Sequence, residues 1–369
     1  MRVCIVITHP TQFDVPVFRL GNSLIDVIYT DSCLVNNNFD PELRRNVKWE
    51  ENNLEGYEYK VLPATNKFKW LYKEFKQNKY DLIITNGYHK LSYIYSIILG
   101  KFFAQKNSLR VDTVQFNNIR ILKKLIKRFI YFVIKQFVDY FFTVGTLSKS
   151  FLLHNGINGR RIYFYGYVSN NNFFRANMIQ DFQGKNDLKH RYGILHDKDI
   201  LICVSKHNHR EAPFDTIRAF SKINHKNLHL IIIGDGDVHG ELKSLSSSLN
   251  LNNVTFTGYI EFCELPKYYS IAKLFIHDSH NEPWGVSVQE ALSCNLAVIA
   301  SDKVGAAHDL IIEGLNGYVF KAGKQADLCE KIIKGLLLDK EIVISTNQSL
   351  LTKWNYEYII ENIKQVTNN

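Results

Sequence analysis

Short, continuous apolar runs recur along this chain of 369 residues and constrain its fold more than any other feature. RVCIVIT at 2–8, KYDLIIT at 79–85 and the run at 200–204 each have about the length of one strand. Such runs are typical of parallel sheets whose two faces are both covered by helices. Because helix-patterned segments separate them in two successive series, the sequence predicts an α/β fold. We expect two doubly wound, Rossmann-like domains facing each other across a cleft.

The composition between these series sets the predicted domain boundaries. The stretch 168–198 is rich in Asn and charged residues and has little apolar periodicity. We therefore expect four segments: an N-terminal domain over 1–170, an interdomain connection over 171–198, a C-terminal domain over 199–350, and a final helix within 351–369.

Charge is distributed unevenly around the net value of +9. Residues 1–175 hold 25 Lys and Arg against 13 Asp and Glu, whereas the remainder holds 20 against 23. This asymmetry indicates that the first half faces an anionic partner, or else presents a solvated basic face. The six Cys residues are scattered without a C-x-x-C pair, which favours reduced thiols over a disulfide framework or a zinc site.

The same composition bears on location. No apolar run approaches the roughly 20 residues needed to span a bilayer. The N-terminal MRVCIVITHP is typical of a strand and a turn, and it lacks the apolar region of a signal peptide. We therefore expect a cytoplasmic protein.

A basic amphipathic helix is predicted at 119–137. The segment contains six basic residues and no acid. Its apolar residues follow helical spacing, namely Leu122, Leu125, Ile126, Phe129, Val133 and Phe137. Such a helix suits an anionic membrane surface. The alternative is a helix whose apolar face packs on the sheet while its charges stay in water. Nucleic acid is not expected, because no recognised binding module is present.

Polar residues follow two of the predicted strands at their carboxyl ends. His9, Gln12 and Asp14 come after the run at 2–8, and Gly87, Tyr88 and His89 come after the run at 79–85. Since active sites in open α/β sheets lie at these ends, all six are candidate residues of the active-site cleft. No Gly-rich loop follows the first strand, which argues against a dinucleotide-binding domain.

The stretch NEPWGVSVQE at 281–290 separates two carboxylates, Glu282 and Glu290. Pro283 and Gly285 interrupt regular structure, so Glu282 is expected on a loop and a helix is expected to begin close to Gly285. A carboxylate just inside that helix can accept hydrogen bonds from two ribose hydroxyls. Glu282 can reach a sugar carried beyond the phosphates.

The start of that helix is itself a predicted anion site. The N–H groups of Gly285, Val286 and Ser287 have no partner within the helix and suit a diphosphate. One stretch of chain thus has groups for the ribose, the diphosphate and the sugar of a nucleotide sugar.

Together these residues resemble a known family. The pattern E-P-W-G-x-x-x-x-E-A, followed by LAVIAS and VGAAHDLI, is similar to the donor site of retaining glycosyltransferases of family 4, which have the GT-B fold. The resemblance extends to bacterial members of the surface-polysaccharide type. Asn295 stands where the family usually has Gly, and Ala297 stands where it usually has Pro.

The resemblance implies roles for further residues. Lys206 takes the place of the first of two cations that neutralise the donor diphosphate. Glu211 occupies the usual place of the second, so Arg210 must substitute for it. Tyr259 and Ile260 are implied at the nucleotide base.

Two catalytic residues are implied as well. These are Glu282 and Asp112, the latter at a position where many members have a His that contacts the donor sugar. The final helix is implied to cross back to the N-terminal domain, which would bind the acceptor.

The implied reaction transfers a sugar from a UDP-sugar or GDP-mannose to a hydroxyl of a glycan or lipid-linked acceptor, with retention. We expect the reaction to be independent of metal, and no cofactor is expected beyond the donor. We expect binding to an anionic membrane surface through 119–137. Two alternatives remain open: a non-catalytic GT-B scaffold that binds an anionic glycan or lipid, and a nucleotide-sugar 2-epimerase.

Overall fold

Two compact units make up the chain in a computed structural model. It describes residues 1–31, 54–116, 121–223 and 227–368, with the backbone of two short strands, β3 (Phe39–Asp40) and β4 (Arg45–Asn46), which pair antiparallel. Unit 1 comprises Met1–Asn38, Trp49–Tyr167 and Tyr356–Asn369. Unit 2 comprises Phe39–Lys48 and Val168–Asn355.

Unit 1 is built on a seven-stranded parallel sheet. Its strands lie in the order β5-β2-β1-β6-β7-β8-β9. Their bounds are β1 Val3–Ile7, β2 Ile25–Tyr29, β5 Glu58–Val61, β6 Tyr80–Asn86, β7 Ala104–Val111, β8 Tyr140–Thr143 and β9 Ile162–Phe164. The helices are α1 Val15–Leu20, α2 Lys67–Gln77, α3 Leu91–Phe103, α4 Ile121–Phe137, α5 Thr146–His154 and, from the end of the chain, α15 Tyr356–Asn368.

Unit 2 is built on a six-stranded parallel sheet in the order β12-β11-β10-β13-β14-β15. Its strands are β10 Asp199–Val204, β11 Leu228–Ile233, β12 Val254–Gly258, β13 Leu274–His277, β14 Ala297–Ser301 and β15 Gly317–Phe320. Its helices are α6 Asn171–Ala176, α7 Phe182–Arg191, α8 Phe214–Phe220, α9 His239–Ser248, α10 Leu265–Ser270, α11 Val286–Ser293, α12 Ala307–Leu310, α13 Gln325–Leu336 and α14 Lys340–Leu351.

The central strands are buried on both faces, as the apolar runs predict. Every residue of β1, β13 and β14 is buried. In unit 2 one apolar cluster packs α8 and α13 against the sheet, with Ile217 and Ile332 fully buried in it. The prediction of two doubly wound parallel-sheet domains is therefore confirmed.

Residues 171–198, predicted as an interdomain connection, contain two helices of unit 2, α6 and α7. The side chains of Asn170 and Asp181 cap them, accepting hydrogen bonds from the N–H groups of Phe173 and Gly184 at 3.0 and 2.7 Å. Asn and Asp at such positions are typical of helix starts as well as of loops, because they satisfy otherwise unpaired N–H groups. The polar residues that predicted a linker therefore include the residues that cap these two helices.

The basic helix predicted at 119–137 is α4, while residues 119 and 120 lie outside the described part of the chain. Tyr131 is its buried residue, and Ile134 and Phe137 pack beside it in the unit 1 core. The opposite face is apolar yet exposed, with side chains 41% to 77% accessible: Ile121, Leu122, Leu125, Ile126, Phe129, Phe132 and Val133. Among the helices in the described ranges, none has the length and apolarity to cross a bilayer.

Candidate active site

Four neighbouring strands of unit 2 bring the predicted donor-site residues to one edge of its sheet. The strands β12, β11, β10 and β13 are adjacent and parallel, so their carboxyl ends lie side by side. The loop after β12 carries Tyr259, the loop after β10 carries Lys206, and the loop after β13 carries Glu282. Sequence order separates these residues widely, and the sheet brings their loops to a common edge.

The loop that carries Glu282 is fixed by its backbone. The N–H of Glu282 donates to the carbonyl of Lys303 at 2.9 Å, and the carbonyl of Glu282 accepts from the N–H of Gly305 at 2.9 Å. One carboxylate oxygen of the half-buried Glu282 side chain accepts from the N–H of Trp284 at 3.2 Å. The predicted loop position of Glu282 is thus seen, and its carboxylate is oriented locally.

The VGAA segment at 304–307 packs against this loop, and the packing accounts for its small residues. The N–H of Ala306 donates to the carbonyl of Trp284 at 2.7 Å. A Cβ atom on Gly305 would lie 2.0 Å from the carbonyl oxygen of Pro283, so only Gly allows this approach. The two motifs that the sequence shows 20 residues apart are therefore one structural unit.

Helix α11 begins where the sequence predicts. Gly285 is its N-cap with φ 92°, a left-handed conformation that Gly adopts without strain, and the helix runs over Val286–Ser293. The first N–H groups of a helix have no intrahelical acceptor, so those of Gly285, Val286 and Ser287 suit an anion. Val286 and Ser287 are half-buried, which leaves part of this helix start accessible.

Glu290 lies in the second turn of α11 and is buried. The hydroxyl of Tyr269 donates to its Oε2 at 3.0 Å. Burial raises the pKa of Glu290 to about 7, in opposition to that hydrogen bond, which lowers it. A buried carboxylate with one donor retains capacity for further hydrogen bonds, as the hydroxyls of a ribose would supply.

The loop after β10 places its two predicted cations differently. Lys206 is half-buried, whereas Arg210 is exposed and forms an ion pair with Glu211. The carbonyl of Arg210 accepts hydrogen bonds from Ser279 Oγ at 2.9 Å and from the N–H of His280 at 3.0 Å. These bonds join the Lys206 loop to the loop that leads into Glu282.

Sequence reasoning missed His207, the neighbour of Lys206. Its Nδ1 lies 2.8 Å from His239 Nδ1, and the two rings stack. Burial lowers the pKa of His207 to about 4, and its Nε2 has no partner within the described residues. The backbone of His207 pairs with the Gly-Asp-Gly turn, donating to Asp235 at 2.9 Å. The H-x-H spacing in SKHNHRE was the available signal.

His277 was missed as well. It ends β13, burial lowers its pKa to about 4, and its Nε2 lacks a partner in the part of the chain that the structure describes. That nitrogen lies 3.3 Å from the position of a Cβ on Gly285, at the start of α11. Nearby, Trp284 is buried and stacks on Trp354 with ring centroids 4.8 Å apart.

The predicted base contacts lie directly after β12. Tyr259 and Ile260 are both half-buried, and the Tyr259 hydroxyl lies 3.4 Å from a carboxylate oxygen of Glu261. Both residues lie at the carboxyl end of β12, at the same edge of the unit 2 sheet. Their contact with a nucleotide base stays a prediction.

In unit 1 the candidate acceptor residues follow the adjacent strands β1 and β6. His9 and Gln12 are half-buried, and each has a buried polar atom, Nδ1 and Oε1, without a partner among the described residues. Burial lowers the pKa of His9. Gly87 has φ 95°, Tyr88 packs edge-on against Tyr131, and the exposed His89 packs edge-on against Tyr93.

Asp112 follows the next strand, β7, and is exposed. The hydroxyl of Tyr167 donates to its Oδ2 at 2.8 Å. Just before it, Arg110 is buried in an ion pair with Asp14 at 2.6 Å and lies against the rings of Tyr165 and Tyr167. No local pattern in the sequence indicates this pairing between residues 96 positions apart.

Across the described residues, no group of three or more His, Cys, Asp or Glu is arranged to hold a metal ion.

Comparison with known proteins finds similarity in the second half of the chain. Residues 184–366 match the family Glycosyl transferases group 1. An uncharacterized glycosyltransferase of Methanocaldococcus jannaschii is 27% identical over 271 residues, which is 70% of this chain and 64% of that protein. The alpha-monoglucosyldiacylglycerol synthase of Acholeplasma laidlawii is 30% identical over 172 residues, 45% of this chain and 42% of that enzyme. The chain thus spans less than two thirds of the length of these relatives.

Solved structures extend the likeness to the whole chain. The crystal structure of Anabaena HepE in complex with UDP matches with a TM-score of 0.78 at 14% identity, covering 100% of both chains. At this identity the likeness shows the fold, which is the GT-B fold expected from the sequence. The chain therefore has a GT-B fold, and its residues 184–366 are similar to the family Glycosyl transferases group 1.

Proposed function

We propose that this protein is a retaining glycosyltransferase of family 4, which transfers a hexosyl group from a nucleotide sugar to a hydroxyl. The observation that carries the proposal is the geometry of α11. A Gly-capped helix start lies between the loop carboxylate Glu282 and the buried carboxylate Glu290. That order of groups corresponds to the order of sugar, diphosphate and ribose in the donor.

The diphosphate is the part of the donor whose charge grows during transfer. Lys206 and the N–H groups at the start of α11 supply positive charge, and they act most strongly on the leaving diphosphate. Arg210 adds a second cation only if it leaves the carboxylate of Glu211, with which it is paired. Because these groups neutralise the diphosphate themselves, we propose that neither a metal nor a cofactor is required.

At the sugar, we propose that Glu282 contacts the donor hydroxyls and supports the positive charge that develops at the anomeric carbon. The carbon–oxygen bond to the diphosphate breaks as the acceptor oxygen approaches from the same face. The acceptor proton passes to the departing phosphate oxygen, so no separate base is needed. Asp112, exposed and held by Tyr167, is proposed as a further catalytic residue.

For the acceptor we propose a glycan or a lipid-linked molecule used in cell-surface polysaccharide synthesis, bound through unit 1. The similarity to an alpha-monoglucosyldiacylglycerol synthase supports an acceptor held at a membrane. The exposed apolar face of α4 and its flanking cations support peripheral attachment to an anionic cytoplasmic membrane surface. Each such cation contributes about 1 kcal/mol near that surface.

The test is a transfer assay with UDP-sugars and GDP-mannose, anionic vesicles and a lipid acceptor, with the product configuration read by NMR. We expect one donor to give a product that keeps the α configuration of its anomeric carbon, with and without EDTA. Inversion would contradict the retaining reaction, and strict dependence on added Mg²⁺ or Mn²⁺ would contradict metal independence.

The same assay separates the two alternatives. Conversion of a free UDP-N-acetylhexosamine to its 2-epimer, without transfer, would indicate an epimerase. Binding of the acceptor with no turnover of any nucleotide sugar would indicate a non-catalytic scaffold.

A further inference from the structure

A cavity of about 520 Å³ lies between α4 and α5 in unit 1. Its cations are Lys124, Lys127 and Arg128, all from one side of α4. No acidic residue is present among the described residues that line it. Its volume falls within the roughly 300–1,000 Å³ of ordinary small-molecule sites. A cavity with three cations and no acid in its described lining is suited to an anion.

The wall opposite these cations supplies both apolar surface and hydrogen-bonding groups. Phe151 of α5 is buried, and the centroid of its ring lies 5.1 Å from the ammonium of Lys127. This contact holds the Lys127 side chain against the wall. Ser150 and His154 also line the cavity, and His154 Nδ1 is bonded to the carbonyl of Ser150 at 2.7 Å. A phosphate oxygen could accept from the hydroxyl of Ser150 while its charge faces the cations.

The cations of the cavity border the apolar outer face of α4. Residues three and four apart lie on the same side of a helix, so Lys124 and Arg128 form one row. Ile121 and Leu125 line the cavity and are also 77% and 58% exposed, so they continue the cavity wall onto that outer face. An amphiphile with an anionic head and apolar tails has this distribution of chemistry.

We propose that the α4–α5 cavity binds the phosphate of an anionic phospholipid headgroup, while the outer apolar face of α4 enters the same bilayer. The inference deepens, and rests on, the membrane attachment in the proposed function. It goes beyond general attraction between basic residues and a charged surface, because it assigns one saturable site. Charge complementarity selects the phosphate, and the adjoining apolar face selects a lipid over a soluble phosphate.

The experiment compares two double variants that each remove two positive charges from α4. Lys124→Gln/Arg128→Gln changes the cavity, whereas Lys123→Gln/Lys135→Gln changes cations that do not line it. The wild type and both variants are sedimented with vesicles of phosphatidylcholine, with and without phosphatidylglycerol, in the absence of any nucleotide sugar. Circular dichroism and thermal unfolding check that both variants fold.

The general surface charge is the same in both variants, so the ratio of their vesicle affinities isolates the contribution of the cavity. We expect the cavity variant to bind phosphatidylglycerol vesicles at least about tenfold more weakly than the matched variant, as expected when charge-assisted hydrogen bonds are lost. Glycerol phosphate, at constant ionic strength, should compete with vesicles for the wild type and have little effect on the cavity variant. Equal losses in the two variants would overturn the proposal, since a diffuse field would then explain binding.

A control with inorganic phosphate distinguishes the source of the ligand. If phosphate alone binds the wild type and the cavity variant still binds vesicles normally, the site takes a soluble anion and the lipid assignment is wrong. Because no donor is present, failure here leaves glycosyl transfer untouched. Transfer to a soluble acceptor by both variants would confirm that the two proposals stand separately.

Discussion

The two sheet edges that carry the candidate residues are stabilised in different ways. In unit 2 the loop of Glu282 is fixed by backbone hydrogen bonds to Lys303 and Gly305 and by the cap of α11. In unit 1 the edge is fixed by side chains, chiefly the buried ion pair between Arg110 and Asp14. Backbone constraints leave a local pattern of Gly and Pro in the sequence, whereas side-chain pairs distant in the chain leave none. The difference predicts where substitutions destabilise the fold and where they alter ligand binding.

The largest effect is expected from breaking the buried pair of unit 1. Arg110→Met leaves the Asp14 carboxylate buried without its partner, and we expect the free energy of unfolding in urea to fall by about 3–5 kcal/mol. Replacing both residues, as Arg110→Met/Asp14→Leu, should recover a large part of that loss. Lys101→Met removes the exposed pair with Asp139 and serves as the control, with an expected change within about 1 kcal/mol. Equal losses in the two single variants would contradict the comparison.

A smaller effect is expected where the backbone of unit 2 is constrained. Gly305→Ala forces the carbonyl of Pro283 to move, because the new Cβ would lie 2.0 Å from it. We expect a loss of about 1–3 kcal/mol of stability and weaker binding of UDP by calorimetry. Gly240→Ala is the matched control, since among the described residues no atom beyond the adjacent helix backbone lies within 4 Å of a Cβ there, and helix α9 favours Ala. If Gly305→Ala bound UDP normally, the coupling of the two motifs would be wrong.

The raised pKa of Glu290 predicts that donor binding in unit 2 depends on pH. In the role proposed for Glu290, the ionised carboxylate accepts the ribose hydroxyls, and burial raises the pKa of this group to about 7. Lowering the pH from about 8 to about 6 protonates it, so affinity for a UDP-sugar should fall about tenfold, or about 1.4 kcal/mol. A UDP-sugar is preferred to UDP because its diphosphate does not titrate in this range. In Glu290→Gln the affinity should not vary with pH, and a persistent slope would assign the titration to another group.

The smallest effect concerns the turn after α11. Asn295 has φ 61°, a left-handed conformation that Asn and Gly adopt more readily than other residues. Asn295→Gly should therefore change the unfolding free energy by less than about 0.5 kcal/mol, whereas Asn295→Ala should cost about 1 kcal/mol. A stabilising Asn295→Ala would show that the backbone strain argument fails here.

How much the sequence predicts follows from the same comparison. The start of α11 and the buried strands were predictable, because Gly, Pro and continuous apolar runs act locally. The helices within 171–198 were not, since Asn170 and Asp181 favour loops and helix caps alike. The ion pair of Arg110 was not predictable because only the fold brings it to Asp14.

The exposed face of α4 is a second feature that the sequence alone does not predict. Its apolar spacing predicts an amphipathic helix, but spacing alone does not say which side packs inward. The structure places Tyr131 in the core and leaves Leu125 and Phe129 at the surface. The cavity beside it depends on α5, and no pattern within α4 predicts that neighbour.

Glu290 is proposed to bind the nucleoside, and Glu282 is proposed to bind the sugar. Calorimetric titration of UDP into the wild type, Glu290→Gln and Glu282→Gln, with turnover measured on the same samples, tests both assignments directly. We expect Glu290→Gln to weaken UDP binding by about 1–3 kcal/mol and Glu282→Gln to bind UDP as the wild type does while losing turnover. Normal UDP affinity in a folded Glu290→Gln, or an equal loss of affinity in Glu282→Gln, would contradict the account.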